Sequence, residues 1–195
     1  MMKFNSVSLL ITFLFVVNSF AQTKNEKESR IQLTEFPEKA KATLSKIPEK
    51  AKRIRHYRET DGDKLSFESK FKYRGNWFSV EFNNKGSIED IEILVKEKEL
   101  STTIKSHIKS YLDGNSDSYE IIKIQEQYNY SETVLETQFL SSILEQRDEL
   151  SSNYEVIVAL KSAKIWVIKE MTFNSNGKFL NARVLQQDSY EYIMY

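Results

Sequence analysis

Apolar and polar residues alternate along much of this chain, a period of two that marks half-buried strands. From Leu65 to Arg74, Leu65, Phe67, Phe71 and Tyr73 share one face, with Ser69 as a polar exception. Ser66, Glu68, Lys70, Lys72 and Arg74 share the other. Trp77–Phe82 repeats the pattern, with Phe78, Val80 and Phe82 on one side and Trp77, Ser79 and Glu81 opposite. Arg53–Glu59 and the run through Ile91, Ile93 and Val95 predict further strands, as do Tyr119–Asn129, Tyr154–Lys161, Ile165–Phe173 and Lys178–Leu185. Asp61-Gly62-Asp63, Gly75-Asn76 and Asn84-Lys85-Gly86 supply turn chemistry between them.

The period changes to that of a helix in three places. Phe36, Ala40, Leu44 and Ile47 form one apolar stripe, with Thr34 placed to cap, Pro37 in the first turn and Pro48 ending the run. Ile104, Ile108, Tyr111 and Leu112 form a second stripe between a capping Ser101 and Gly114. Between Tyr130 and Ser152, Thr133 and Glu136 have capping-box spacing, and Leu135, Phe139 and Ile143 predict a short amphipathic helix.

One heptapeptide occurs twice: Phe82-Asn83-Asn84-Lys85-Gly86-Ser87-Ile88 returns as Phe173-Asn174-Ser175-Asn176-Gly177-Lys178-Phe179. Each copy lies between strand candidates and follows a tryptophan-bearing one. The expectation is an α+β fold: a tandem duplication of a helix plus antiparallel β-meander unit, with the helices packed on one sheet face. The first unit spans 33–97; the second spans 98–195 and carries the helical insertion at 130–152. Residues 22–32 are polar and read as a flexible leader.

Residues 1–21 read as a secretory signal peptide. Lys3 is the basic start, Val7–Val17 is almost wholly apolar, and Ser19-Phe20-Ala21 places small residues for cleavage after Ala21. The apolar run is short for a bilayer span, so no stable membrane anchor is expected after cleavage. The chain has 28 basic and 28 acidic residues, a balance that argues against a nucleic-acid partner. The absence of cysteine removes disulfides, thiolate nucleophiles and thiolate metal ligands. Export to a periplasm or the medium is expected, with stability resting on packing.

The doubled strand–Phe-Asn-x-x-Gly–strand hairpins at Phe82–Gly86 and Phe173–Gly177, each in a unit that opens with a short helix, resemble the PepSY-like, β-lactamase-inhibitor-like exported proteins of Bacteroidetes. The resemblance covers roughly Leu33 to Gln186. Glu99-Leu100-Ser101 stands where that family often has a proline, and the 130–152 insertion is unusual for it. The matching residues are turn and core residues. The resemblance therefore implies a fold and a periplasmic or secreted binding or inhibitory module, and no activity.

No catalytic constellation stands out. His56 and His107 lack partners at zinc-ligand spacing. Ser-x-x-Lys occurs at Ser69–Lys72, Ser106–Lys109 and Ser175–Lys178, in a strand, a helix and a turn, without the accompanying penicillin-binding signatures. Glu89-Asp90 and Glu145 with Asp148 fit solvated faces as well as acid–base work. Asp113-x-Asn115-x-Asp117 begins like a calcium loop, but Ser118 and Ile124 stand where glycine and glutamate belong. The expectations are no cofactor, no metal site and no enzyme. Trp77 and Trp166, with Glu81 and Glu170 beside them on faces opposite the apolar ones, are the expected partner-binding residues. They would dock an envelope or secreted protein or peptide, with a hydrolase as one such partner, by the sheet face. The alternatives are that the two tryptophans are buried between the units, or that the protein is a small-ligand or ion-binding envelope sensor.

Overall fold

The computed structural model describes residues 22–145 and 151–185. The expected signal peptide, Asp148 and the last ten residues lie outside them. Within the described residues the elements run β1 (Gln22–Lys24), β2 (Glu26–Ile31), α1 (Glu38–Leu44), β3 (Lys52–Asp61), β4 (Lys64–Tyr73), β5 (Asn76–Asn83), β6 (Ile88–Val95), α2 (Thr102–Asn115), β7 (Ser118–Asn129), α3 (Glu136–Glu145), β8 (Asn153–Ser162), β9 (Ile165–Asn174) and β10 (Phe179–Leu185).

Strands β3 to β10 form one unbroken antiparallel meander. The N-terminal segment then closes it. β1 pairs parallel with β10 and β2 pairs antiparallel with β3, with only Asn25 between them. One stretch of chain is thus bonded to both edges of the meander, which curls into a nearly closed barrel. At the seam the Asn25 N–H donates to Asp61 Oδ1 at 2.9 Å, and Arg183 of β10 reaches Asp61 of β3 at 3.2 Å. Among the described residues, closure pairs residues 56–61 of one meander edge and 183–185 of the other.

Two expectations fail here. The fold is not an α+β tandem of helix-plus-meander units; it is a mostly β, ten-stranded sheet. β6 and β7 pair from Asp90↔Asn129 to Val95↔Ile124, directly across the expected unit boundary. A β6 edge left bare would expose a row of backbone donors and acceptors, and pairing with β7 satisfies them. Nor are residues 22–32 a flexible leader. Lys24, Glu26 and Glu28 face the barrel interior, where they find opposite charges.

The helices cover the outer face of the sheet. Ala40 and Leu44 of α1, Ile108 and Leu112 of α2, and Leu140, Ile143 and Leu144 of α3 pack with Phe67, Phe71, Phe82, Ile91, Ile93, Val156 and Phe173 into one apolar core. α1 begins after Pro37, not after a capping Thr34, because Leu33–Glu35 forms a separate 3-10 turn. Glu136 pins the inserted helix: it accepts from Thr43 Oγ1 and the Ile88 N–H, each at 3.3 Å, and pairs with Lys39 at 2.9 Å. Of the apolar face expected for α3, Ile143 is buried and Phe139 packs against the core, and Leu135 does neither. Leu135 precedes the helix and is exposed, whereas Leu140, Ile143 and Leu144 are buried.

Candidate functional site: the charged barrel interior and its open mouth

Alternation gives the sheet a second face, and closure encloses it. Lys24, Glu26, Glu28, Glu59, Glu68, Lys70, Glu81, Glu92, Lys123, Gln125, Glu155 and Glu170 line a shared interior. Buried charges must be paired or neutralised, and the interior uses both routes. Lys24 lies 2.7 Å from Glu170 and from Glu26. Arg183 joins Glu170 at 2.5 Å. Lys70 bridges Glu28 at 2.7 Å and Glu68 at 2.8 Å, and Ser79 donates to Glu68.

Carboxylates outnumber cations, and their proton affinities show it. Burial raises Glu81 and Asp90 well above the ordinary carboxylate value, and like charges on neighbouring carboxylates add to it. Glu59 and Glu155 are raised for the same two reasons, with Glu68 the neighbour of the first and Glu170 of the second. Burial pushes Glu92 up to about 7 against the opposing charges of Lys123 and Lys24. Burial would also raise Glu170, but Lys24 and Arg183 outweigh it and hold this carboxyl at about 2. Two triads, Glu26–Glu28–Glu59 and Glu81–Asp90–Glu92, bring carboxylate oxygens within 4.8 Å of one another and are the groups best placed to hold a cation. The free space among the interior charges is about 50 Å³, room for a few waters and not for an organic ligand.

A larger opening lies at one end of the barrel. Strand direction places Arg53, Trp77, Leu94, Ile122 and Trp166 all at this end. A cleft of about 420 Å³ is lined there by Arg53, Trp77, Phe78, Leu94, Ile122 and Lys123, with Lys70, Ser79, Glu92 and Gln125 as its floor. Two β-bulges shape it. Pairing of β3 with β4 slips between Lys52 and Arg55, and pairing of β7 with β8 slips between Ile121 and Lys123. The bulged residues include Arg53 and Ile122, both on the cleft wall. Arg53 has φ +58, a left-handed conformation that costs a non-glycine residue about 1–3 kcal/mol. Its guanidinium lies 5.9 Å from the centre of the Trp77 ring, a cation–π contact that holds both side chains at the rim.

The four expected partner-binding residues do share one sheet face, but it is the enclosed one. Glu170, at 3% exposure, is an interior ion pair and not a charged rim. Glu81 faces the acidic interior beside Asp90 and Glu92. Trp77 is half-buried and forms a wall of the cleft. Trp166 is 52% exposed, with Lys161 Nζ 5.7 Å from its ring centre. The two tryptophans are not buried between packed units. Sequence reasoning missed Arg53 and Lys123, because a cation in a polar strand reads as a solvated residue until closure of the sheet encloses its face.

No protein-family model matches the chain, and no curated protein matches its sequence. The fold is similar to that of a DUF2874 family protein from Bacteroides ovatus, with a TM-score of 0.51 and 13% identity over 76% of this chain and 87% of that one. A BLIP-like protein from Bacteroides fragilis aligns over 76% of this chain and 86% of its own, with a TM-score of 0.47 and 12% identity. The Bacteroides ovatus likeness is one of fold, and no activity follows from it.

The remaining polar candidates have structural tasks. His56 stacks edge-on to Phe36 at 5.3 Å, and burial together with the charge of Arg30 lowers its pKa. His107 Nδ1 lies 2.7 Å from the Asn176 carbonyl and braces the second repeated hairpin. Asp117 accepts the Ala163 N–H at 3.0 Å, and the Asn115 amide donates to the Tyr111 carbonyl at 2.7 Å. The Asp113–Asp117 stretch is therefore a helix-to-strand junction. Ser69 and Lys72 fall on opposite faces of β4, which rules out a Ser–Lys dyad there. Lys109 pairs with Glu97 at 2.7 Å, and Glu89 pairs with Lys64 at 2.7 Å.

Proposed function

We propose that the protein is an exported, non-catalytic binding module that takes a small ligand into the Trp77 mouth of its barrel. The observation that carries this reading is the closure of the sheet. The polar face expected to dock a partner protein is enclosed and filled by its own ion pairs. Among the openings of the described residues, the Trp77 cleft of about 420 Å³ has the mixture of apolar walls and a few polar groups that small-molecule sites show, whereas the recess of about 560 Å³ at Gln127, Thr172 and Arg183 is lined almost wholly by polar residues. The basic start, apolar run and small residues of the first 21 residues support export.

Native mass spectrometry of the protein isolated from its host tests the reading. The expected result is N-terminal processing after Ala21 and a small-molecule adduct that Trp77→Ala removes. Unprocessed protein would count against export. A processed protein carrying no adduct, even at high host ligand load, would count against the cleft. A second reading is favoured by Ile165 and Trp166, which are exposed together at the β8–β9 tip and are of the kind that anchor protein interfaces. A stoichiometric protein partner lost in Trp166→Ala and retained in Trp77→Ala would favour it.

A further inference from the structure

We propose that the ligand of the barrel mouth is a small amphipathic anion, its apolar part lying on Trp77, Leu94 and Ile122 and its anionic head held between Arg53 and Lys123. This rests on the cleft reading above and assigns it a chemical class.

The charges of the cleft decide the class. Three cations line it, and one is already spent: Lys70 is bonded to both Glu28 and Glu68. Arg53 and Lys123 make no direct ion pair among the described residues. Arg53 rests on the Trp77 ring, and Lys123 acts on Glu92 and Glu155 only through space. The one carboxylate of the cleft, Glu92, is occupied by the Gln125 amide, which donates to it from the adjacent strand. The mouth is thus locally cationic on a barrel whose interior is acidic. An anion that entered would meet two uncommitted donors at the rim and repulsion from the carboxylates below, which fixes how deep its head can go.

The apolar half is equally specific. Leu94 and Ile122 are 39% and 38% exposed, unusual for large aliphatic side chains that point to the concave side of a sheet. Ile122 points there because of the β7 bulge, being out of phase with the inward Lys123 and Gln125, and Arg53 lies within the β3 bulge at the rim. Bulges re-aim side chains beside binding sites, and two independent bulges converge on this cleft with one apolar and one cationic residue. A flat aromatic wall with an arginine already seated on it suits an alkyl or aryl group bearing a carboxylate, sulfonate or similar head.

Isothermal titration of the processed protein with three probes of one chain length tests the class: decanoate, decanol and decyltrimethylammonium. Decanoate is expected to bind best, and Lys123→Gln and Arg53→Gly are each expected to weaken it roughly tenfold while leaving decanol unchanged. Glycine suits the positive φ at position 53, so that variant keeps the bulge. Trp77→Ala should weaken all binding. Equal or stronger binding of decyltrimethylammonium or decanol, still lost in Trp77→Ala, would overturn the anionic class and leave the cleft reading standing. No binding of any probe by protein with an unchanged thermal midpoint would overturn both.

Discussion

Lys24 Nζ lies 2.7 Å from Glu170 Oε2, joining the first strand of the chain to the ninth through the inside of the barrel. This contact is why a polar N-terminal segment is ordered. Burial alone would lower the lysine's proton affinity, yet the charges of Glu170, Glu155 and Glu26 raise it well above the ordinary value. Lys24→Gln removes the cation and leaves three carboxylates facing one another with Arg183 as the remaining counter-ion. The expected loss is about 2–4 kcal/mol in urea unfolding. A variant within a few tenths of wild type would show that β1 contributes little to closure.

The interior carboxylates make stability depend on pH in a stated direction. Glu92 is raised to about 7, and Glu59, Glu81, Asp90 and Glu155 are raised as well. A raised carboxyl favours the folded state in its protonated form. Its contribution is complete below the unfolded value and is lost as pH rises through the folded value. Glu170 runs the other way: its contribution is present above the unfolded value and is lost as pH falls through about 2. The unfolding free energy from urea titration should therefore be higher near pH 5.5 than near pH 8.5, by an amount on the order of 1–3 kcal/mol. Equal stability at the two values would mean that water or ions reach the interior freely enough to relieve its charge repulsion.

The same electrostatics make Glu81 the clearest single site. It faces Asp90, Glu92 and Glu68 and has no hydrogen bond or ion pair among the described residues. Glu81→Gln keeps the shape and removes the charge. Stabilisation of roughly 1–2 kcal/mol is expected near pH 8.5, shrinking at lower pH, because the raised carboxyl takes up its proton as pH falls. A destabilised variant at the higher pH would indicate that Glu81 serves as a ligand or counter-charge for a bound cation.

Most strands were legible in the sequence because their outer faces are apolar. Phe67 and Phe71, Phe78 and Val80, Ile91 and Ile93 announce themselves by alternation, and the split of Trp77, Ser79 and Glu81 from Phe78, Val80 and Phe82 was read correctly. Closure was not legible. A segment whose inward residues are Lys24, Glu26 and Glu28 has the composition of a solvated leader; β2 pairs with β3 and Glu28 with Lys70, but the partners of β1 and Lys24 lie more than a hundred residues away in β10 and β9. The repeated hairpins suggested two units, because a local sequence match carries no information about what pairs with the edge of β6. The site was half legible for the same reason: Trp77 is visible as an aromatic on a polar face, whereas Ile122 reaches the mouth through a bulge and Arg53 is one of several cations in a polar strand.

The two repeated hairpins share one local device that can be tested directly. Gly86, at φ +82, sits against α1, where an added Cβ would come within 2.7 Å of Pro37 Cβ and 3.0 Å of the Ala40 nitrogen. Gly177, at φ +75, sits against α2, where a Cβ would come within 3.0 Å of His107 Cβ and 3.1 Å of the Ile104 carbonyl oxygen. In both, the backbone conformation and the approach of a helix demand glycine. Gly62, at φ +59, has nothing within 4 Å of the same added atom and so isolates the conformational cost. Gly62→Ala should cost about 1 kcal/mol. Gly86→Ala and Gly177→Ala should each cost roughly 2–4 kcal/mol, because the helix must shift as well. Equal losses at all three positions would show that the helices yield freely and that the hairpin glycines are required by turn geometry alone.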